Sequence, residues 1–74
     1  MIDKIKDILS KQLRMELDTI EDDANIMEDL GADSLDVVDM VMSIEEQFGI
    51  SVPDADVGTL KTVRDVADYV ERNM

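Results

Sequence analysis

Apolar residues return every three to four positions in three stretches of this chain, and the segments between them keep no such period. Ile2, Ile5, Ile8, Leu9, Gln12-Leu13 and Leu17 predict an amphipathic helix over roughly the first fifteen residues. A second helical pattern runs from Ser34 to about Phe48: Asp33 is its natural N-cap, Asp36 stands three residues on, and Gly49 stops it. A third opens at Thr62-Val63-Arg64-Asp65, a capping-box pattern, and carries Val63, Val66, Ala67 and Val70 on one face. From Glu16 to Ala32 the period is lost, yet Ile20, Ile26, Met27 and Leu30 recur as anchors, so the expectation is a long ordered loop crossing the bundle and ending at Gly31. Ile50-Ser51-Val52-Pro53 reads as extended, and Asp54 is expected to cap a short helix reaching roughly Leu60, with Gly58 costing about 1 kcal/mol against alanine. Alternating strand patterns are missing. The expected fold is all-α, a small four-helix bundle of three longer helices and one short one, with the long loop between the first two and residues 1–74 as one domain.

The middle helix has more apolar surface than a core needs. At about 100° per residue from Ser34, Val37, Met40, Val41, Ile44 and Phe48 gather near 300°, while Leu35, Val38 and Met42 gather near 70°. Ser34 and Glu45 separate the two stripes on one side, and Asp36, Asp39, Ser43 and Glu46 do so on the other. The first stripe is the core face. The second, rimmed by carboxylates, has the form of a docking surface, unless the short helix after Pro53 covers it.

Charge sharpens that picture. The 74 residues hold 19 acidic against 7 basic side chains, a net charge of −12. All the basic residues lie near the ends: Lys4, Lys6, Lys11 and Arg14, then Lys61, Arg64 and Arg72. The interval from Met15 to Leu60 has fourteen carboxylates and no cation. Such a field repels nucleic acid and anionic lipid and steers basic protein surfaces into contact. A hydrophobic content of 45% argues against disorder. No apolar run approaches the roughly 20 residues of a membrane span, and Met1-Ile2-Asp3-Lys4-Ile5-Lys6 lacks a secretory signal, so a cytoplasmic monomer without membrane insertion is expected.

Histidine and cysteine are both absent. Without them the common routes to an activated nucleophile, a thiolate or a metal-bound water are closed, so no catalytic residue and no metal site is expected. Ser34, at the mouth of the acidic helix, is either an ordinary helix-end serine or a hydroxyl acted upon by another enzyme. A phosphate there could meet free backbone N–H groups and the helix dipole, against the opposition of neighbouring carboxylates. Asp54, Asp56, Gly58 and Asp65 suggest a calcium loop, but counting from Asp54 puts glycine at position five and aspartate at twelve, where an EF-hand needs glycine at six and glutamate at twelve. Weak divalent binding by the acidic surface, or a pure interaction module with Ser34 unmodified, remain the readings from other classes.

The segment Glu28-Asp29-Leu30-Gly31-Ala32-Asp33-Ser34-Leu35-Asp36 closely resembles the phosphopantetheine attachment motif of acyl carrier proteins. The likeness continues through Val41-Met42, Ile44 to Ile50, Val52-Pro53-Asp54, Thr62-Val63 and Asp68-Tyr69-Val70, covering almost the whole chain. It implies that a magnesium-dependent phosphopantetheinyl transferase moves 4'-phosphopantetheine from coenzyme A to the Ser34 hydroxyl, and that the terminal thiol of the arm then holds acyl groups as thioesters. By matching position, Asp33, Leu35, Asp36, Val38, Asp39, Met42, Glu45 and Glu46 would be read by basic patches on enzymes of fatty-acid synthesis. Ile26, Val37, Met40, Ile44 and Leu60 would line the acyl pocket, with Met40 as the adaptable filler. Gly58-Thr59 stands where fatty-acid carriers usually place an acidic and a basic residue, which leaves a polyketide carrier open.

Overall fold

The computed structural model describes residues 1–74, and its elements follow the apolar periods closely. Helix α1 spans Ile2–Leu13, α2 Ser34–Phe48, α3 Asp54–Val57 and α4 Val63–Asn73. There is no strand, only an isolated bridge between Asn25 and Thr62. The fold is the all-α bundle that the periodicity implies.

Helix α1 stops two residues earlier than its pattern suggests. Arg14 takes a left-handed conformation (φ 55°), the Met15 N–H returns to the Ser10 carbonyl at 3.1 Å, and the Ser10 hydroxyl donates to the Met15 carbonyl at 2.7 Å. Leu17 therefore leaves the helical face, enters a single 3₁₀ turn at Leu17–Thr19, and is 43% exposed. Both long helices that follow open with the capping boxes their sequences contain. At α2 the Asp36 N–H donates to Asp33 Oδ1 and the Asp33 N–H to Asp36 Oδ2. At α4 Thr62 and Asp65 repeat the arrangement. Each such cap stabilises its helix by about 1 kcal/mol.

The core is wholly apolar: seventeen residues are buried and none is polar or charged. Helix α1 lies in the middle and packs on both α2 and α4, bringing Ile5, Ile8 and Leu9 against Met40, Ile44, Val63, Val66 and Val70. The long loop is ordered by this core and by α4. Ile20, Ala24 and Ile26 are buried, and the loop's backbone is bonded to the start of α4 through Ile26 N–H to Lys61 O, Val63 N–H to Ala24 O and Arg64 N–H to Asp22 O, at 2.8–3.1 Å. Met27 does not serve as the anchor its apolar character suggested; it is 53% exposed. Helix α3 is also shorter than expected. It is one turn, Pro53 rather than Asp54 occupies the cap position, and no side chain caps it.

Candidate functional site

A self-satisfied turn sets the entry to α2. Asn25 Oδ1 accepts from the N–H groups of Met27 and Glu28 at 3.0 and 2.8 Å, and Asp29 Oδ2 accepts from the Asn25 N–H at 2.8 Å. Gly31, at φ 76°, provides the left-handed step that turns the chain toward the helix, where a side chain would be strained. Ala32 is buried, and Asp33 follows as the cap.

Asp33, not Ser34, therefore does the capping, and Ser34 is the first helical residue, exposed and with its hydroxyl unbonded. The Ser34 and Leu35 N–H groups have no partner in the protein, being too near the start for an intrahelical carbonyl. Two free amides at the positive end of a fifteen-residue helix suit a phosphodiester on the adjoining Oγ.

Ser34 also stands on the wall of a cavity of about 530 Å³, shared with Met27 and Glu28 from the loop, Val37 and Val38 from α2, and Val57, Gly58, Leu60 and Lys61 from the α3 region. Of the five residues expected to line an acyl pocket, Val37 and Leu60 are on this wall. Ile26, Met40 and Ile44 are instead closed into the core at 1%, 0% and 1% exposure and line no open cavity. From the Ser34 wall these three are separated by the packed side chains of the core. Val57 and Lys61 are members of this wall that the sequence did not single out, and Met27, expected as a core anchor, lines it instead, because all three belong to segments outside the long helices.

The second stripe of α2 is open. Leu35, Val38 and Met42 are 73%, 49% and 60% exposed. Helix α3 approaches it without covering it: a groove of about 430 Å³ separates Val38 and Met42 from Val52, Asp54 and Val57. Around the stripe, Asp33, Asp39 and Glu46 are exposed, Asp36 and Glu45 half-buried. Asp36 holds the cap, and Glu45 Oε2 accepts the Val52 N–H at 2.9 Å, pinning the connection after α2.

The molecule's ion pairs lie elsewhere. Lys6 pairs with Asp22, Lys11 with Asp7, Arg64 with Asp22 and Asp23, and the N-terminal ammonium with Glu71. The hydrogen bond from Lys6 holds the Asp22 carboxyl below its ordinary range, and Asp23 raises Arg64 further above its own. Lys6 and Arg64, from opposite ends of the chain, thus converge on Asp22 and Asp23 in the long loop, and no ion pair includes a residue of α2. The negative field of α2 is left uncompensated around its apolar stripe.

The carboxylates of the calcium-loop alternative have other duties. Asp56 Oδ2 accepts the Tyr69 hydroxyl at 2.8 Å, Asp65 caps α4, and Asp54 opens α3. Nowhere do three or more potential ligand side chains converge on a point, and no helix is long and apolar enough to cross a membrane.

Comparison with known proteins agrees with this geometry. A family profile described as the phosphopantetheine attachment site matches residues 3–70. The acyl carrier protein of Bdellovibrio bacteriovorus is 49% identical over 69 residues, spanning 93% of this chain and 88% of its own. That of Syntrophobacter fumaroxidans is 47% identical over 70 residues, spanning 95% and 86%. A solved structure of the acyl carrier protein from Enterococcus faecalis superposes with a TM-score of 0.83 at 34% identity, covering 99% of this chain and 92% of that one.

Proposed function

Since this chain belongs to the acyl carrier protein family, a family of non-catalytic carriers with a 4'-phosphopantetheine group, we propose that Ser34 is the point of attachment and that the loaded protein presents acyl thioesters to enzymes of fatty-acid synthesis. The observation that carries this reading is the setting of Ser34. Its hydroxyl is unbonded and exposed, beside two free helix-end amides, on the wall of a cavity whose far side is Leu60 and Val57. When bound, the group supplies a thiol that holds the acyl chain as a thioester.

Attachment makes one bond and breaks one. Ser34 Oγ forms a bond to phosphorus and gives up its proton, while the phosphorus–oxygen bond to the nucleotide part of coenzyme A breaks. The base that takes the proton is supplied at the transferase's site, since no side chain of this chain hydrogen-bonds the Ser34 hydroxyl and the carboxylates of Asp33 and Asp36 are engaged in the helix cap. The Ser34 and Leu35 amides then face the new phosphodiester, and Asp33 and Asp36 keep the first turn of α2 in place through their reciprocal bonds.

Partner enzymes are read at the second stripe. Leu35, Val38 and Met42 supply the apolar contact, and Asp33, Asp36, Asp39, Glu45 and Glu46 attract basic patches and orient them. The carried chain shelters against Val37 and Leu60, with Ile26, Met40 and Ile44 as the deeper surface that moves aside for it. Incubation with coenzyme A, magnesium and a phosphopantetheinyl transferase tests the assignment: intact mass should rise by one arm, peptide mapping should place it on Ser34, and Ser34→Ala should take up none. An arm found elsewhere, or uptake by Ser34→Ala, refutes it.

A further inference from the structure

Two charged residues share the cavity with Ser34, the acidic Glu28 and the basic Lys61. Lys61 lines the Ser34 cavity with Val37, Val57 and Leu60, and it is the only cation on that wall. Its backbone is fixed: the Lys61 carbonyl accepts the Ile26 N–H at 2.9 Å, and its own N–H donates to Thr59 O and Asp65 Oδ2 at 3.2 and 3.3 Å. Its ammonium is not engaged. Lys6, Lys11 and Arg64 have carboxylate partners; Lys61, like Lys4, Arg14 and Arg72, makes no ion pair, and of these four it alone lines the Ser34 cavity. A cation anchored by its main chain and free at its tip, on the wall that holds Ser34, is placed to meet an anion attached to Ser34.

Resting on the assignment of Ser34 above, we propose that Lys61 is a positioning residue for the arm. Its ammonium pairs with the phosphodiester on Ser34 Oγ and tilts the arm into the cavity between α2 and α3. The electrostatics around Ser34 favour such a contact. A singly negative phosphodiester at Ser34 is repelled by Glu28 on the same wall and by Asp33 and Asp36 beside it, and the two free amides oppose that repulsion only within the first helical turn. Lys61 is the one cation on the cavity wall, and it favours the inward position. The pair is exposed, so it biases the arm between inward and outward states without locking it, and salt weakens that bias.

The test compares wild type, Lys61→Gln, Lys61→Arg and the remote Lys11→Gln, each before and after enzymatic loading. Intact mass comes first: a wild-type Ser34 that fails to load overturns the attachment site and the Lys61 role together, whereas failure of the Lys61 role by itself leaves loading intact and shows only in the ³¹P and thermal readouts. On the loaded proteins, the ³¹P resonance of the phosphodiester and the change in Tm on loading are read from low salt to about 1 M, where the screening length falls to about 3 Å. The expected result is a ³¹P resonance that moves with salt in wild type, Lys61→Arg and Lys11→Gln and is nearly salt-independent in Lys61→Gln. The loading-dependent part of Tm should fall by roughly half or more in Lys61→Gln at low salt and return in Lys61→Arg. A purely structural lysine would alter Tm equally in apo and loaded proteins. Identical ³¹P resonances and identical loading increments in wild type and Lys61→Gln at every salt concentration overturn the proposal.

Discussion

Truncating one residue from each stripe of α2 separates packing from docking. Ile44 is 1% exposed in the middle of the core stripe, and Met42, two residues away, is 60% exposed. Ile44→Ala removes buried carbon between helix backbones that cannot close the gap, so a cost of about 3 kcal/mol within the usual 2–5 is expected. Met42→Ala removes a side chain that has surrendered less than half its surface, at about 0.5–1 kcal/mol. For a 74-residue domain the total stability is about 4–11 kcal/mol, so the first substitution consumes a large share of it and the second little. As each kcal/mol shifts Tm by about 4–8 °C at this size, Ile44→Ala should fall by roughly 12–24 °C and Met42→Ala by less than about 8 °C. The measurements are urea and thermal unfolding at one fixed ionic strength, together with the rate of loading by the transferase. Met42→Ala should load about fivefold or more slowly, as befits a contact worth upward of 1 kcal/mol at an interface, and Ile44→Ala should load normally wherever it is folded. Equal destabilisation by the two, with loading unchanged in Met42→Ala, would place both stripes in the core and refute the reasoning.

Glu46→Lys, at an exposed rim position with no partner, should slow association with a basic enzyme and flatten its salt dependence while leaving stability within about 0.5 kcal/mol; Asp36→Lys should do the same but also loosen α2, since Asp36 holds the Asp33 N–H. The hydrogen bond to Asp56, and secondarily burial, raises the Tyr69 pKa, so the stability of wild type over Tyr69→Phe should be full below the ordinary tyrosine value of about 10 and fade as pH rises through the higher folded value; a gap that widens in that range, followed by urea unfolding, contradicts the bond. Arg14→Gly should raise stability by about 0.5–1 kcal/mol in thermal melts, because a left-handed residue closing α1 is strained unless it is glycine; a loss would mean that the arginine side chain contributes more than its backbone costs. Sodium chloride or millimolar magnesium should raise Tm by screening the α2 carboxylates, with calcium no better than magnesium, and a calcium-selective rise would restore the calcium-loop reading.

Where a helix governs the geometry, the sequence was enough. Val37, Met40, Val41 and Ile44 are buried, Leu35, Val38 and Met42 are exposed, and both capping boxes form, since 3.6-residue periodicity and cap chemistry are local properties. Outside helices no period relates a residue to a face. Met27 and Leu17 look as apolar as Ile20 and Ile26, yet only the latter pair reach the core, because turns at Leu17–Thr19 and Asn25 decide where each side chain goes. The composition of the Ser34 wall was hidden for a related reason. Lys61 and Val57 reach it through tertiary placement of the segment between α3 and α4, which no local pattern encodes. The gathering of Lys6 and Arg64 at Asp22 is a similar long-range event, and it explains why a charge count along the chain located the uncompensated interval too broadly.

The main-chain bonds from Asp22, Ala24 and Ile26 to the opening of α4 also bear on the order in which the molecule is assembled. Entropy disfavours closing the wide loop between those partners until both are present, so they join late among the native contacts. The turn that aims Ser34 begins at Asn25, inside this seam. A chain still emerging from the ribosome, with α4 not yet made, holds the Ser34 segment without the strap that fixes its entry angle. The entry to α2 is therefore fastened only in the finished chain, once the opening of its last helix supplies the Lys61 carbonyl and the Val63 and Arg64 amides.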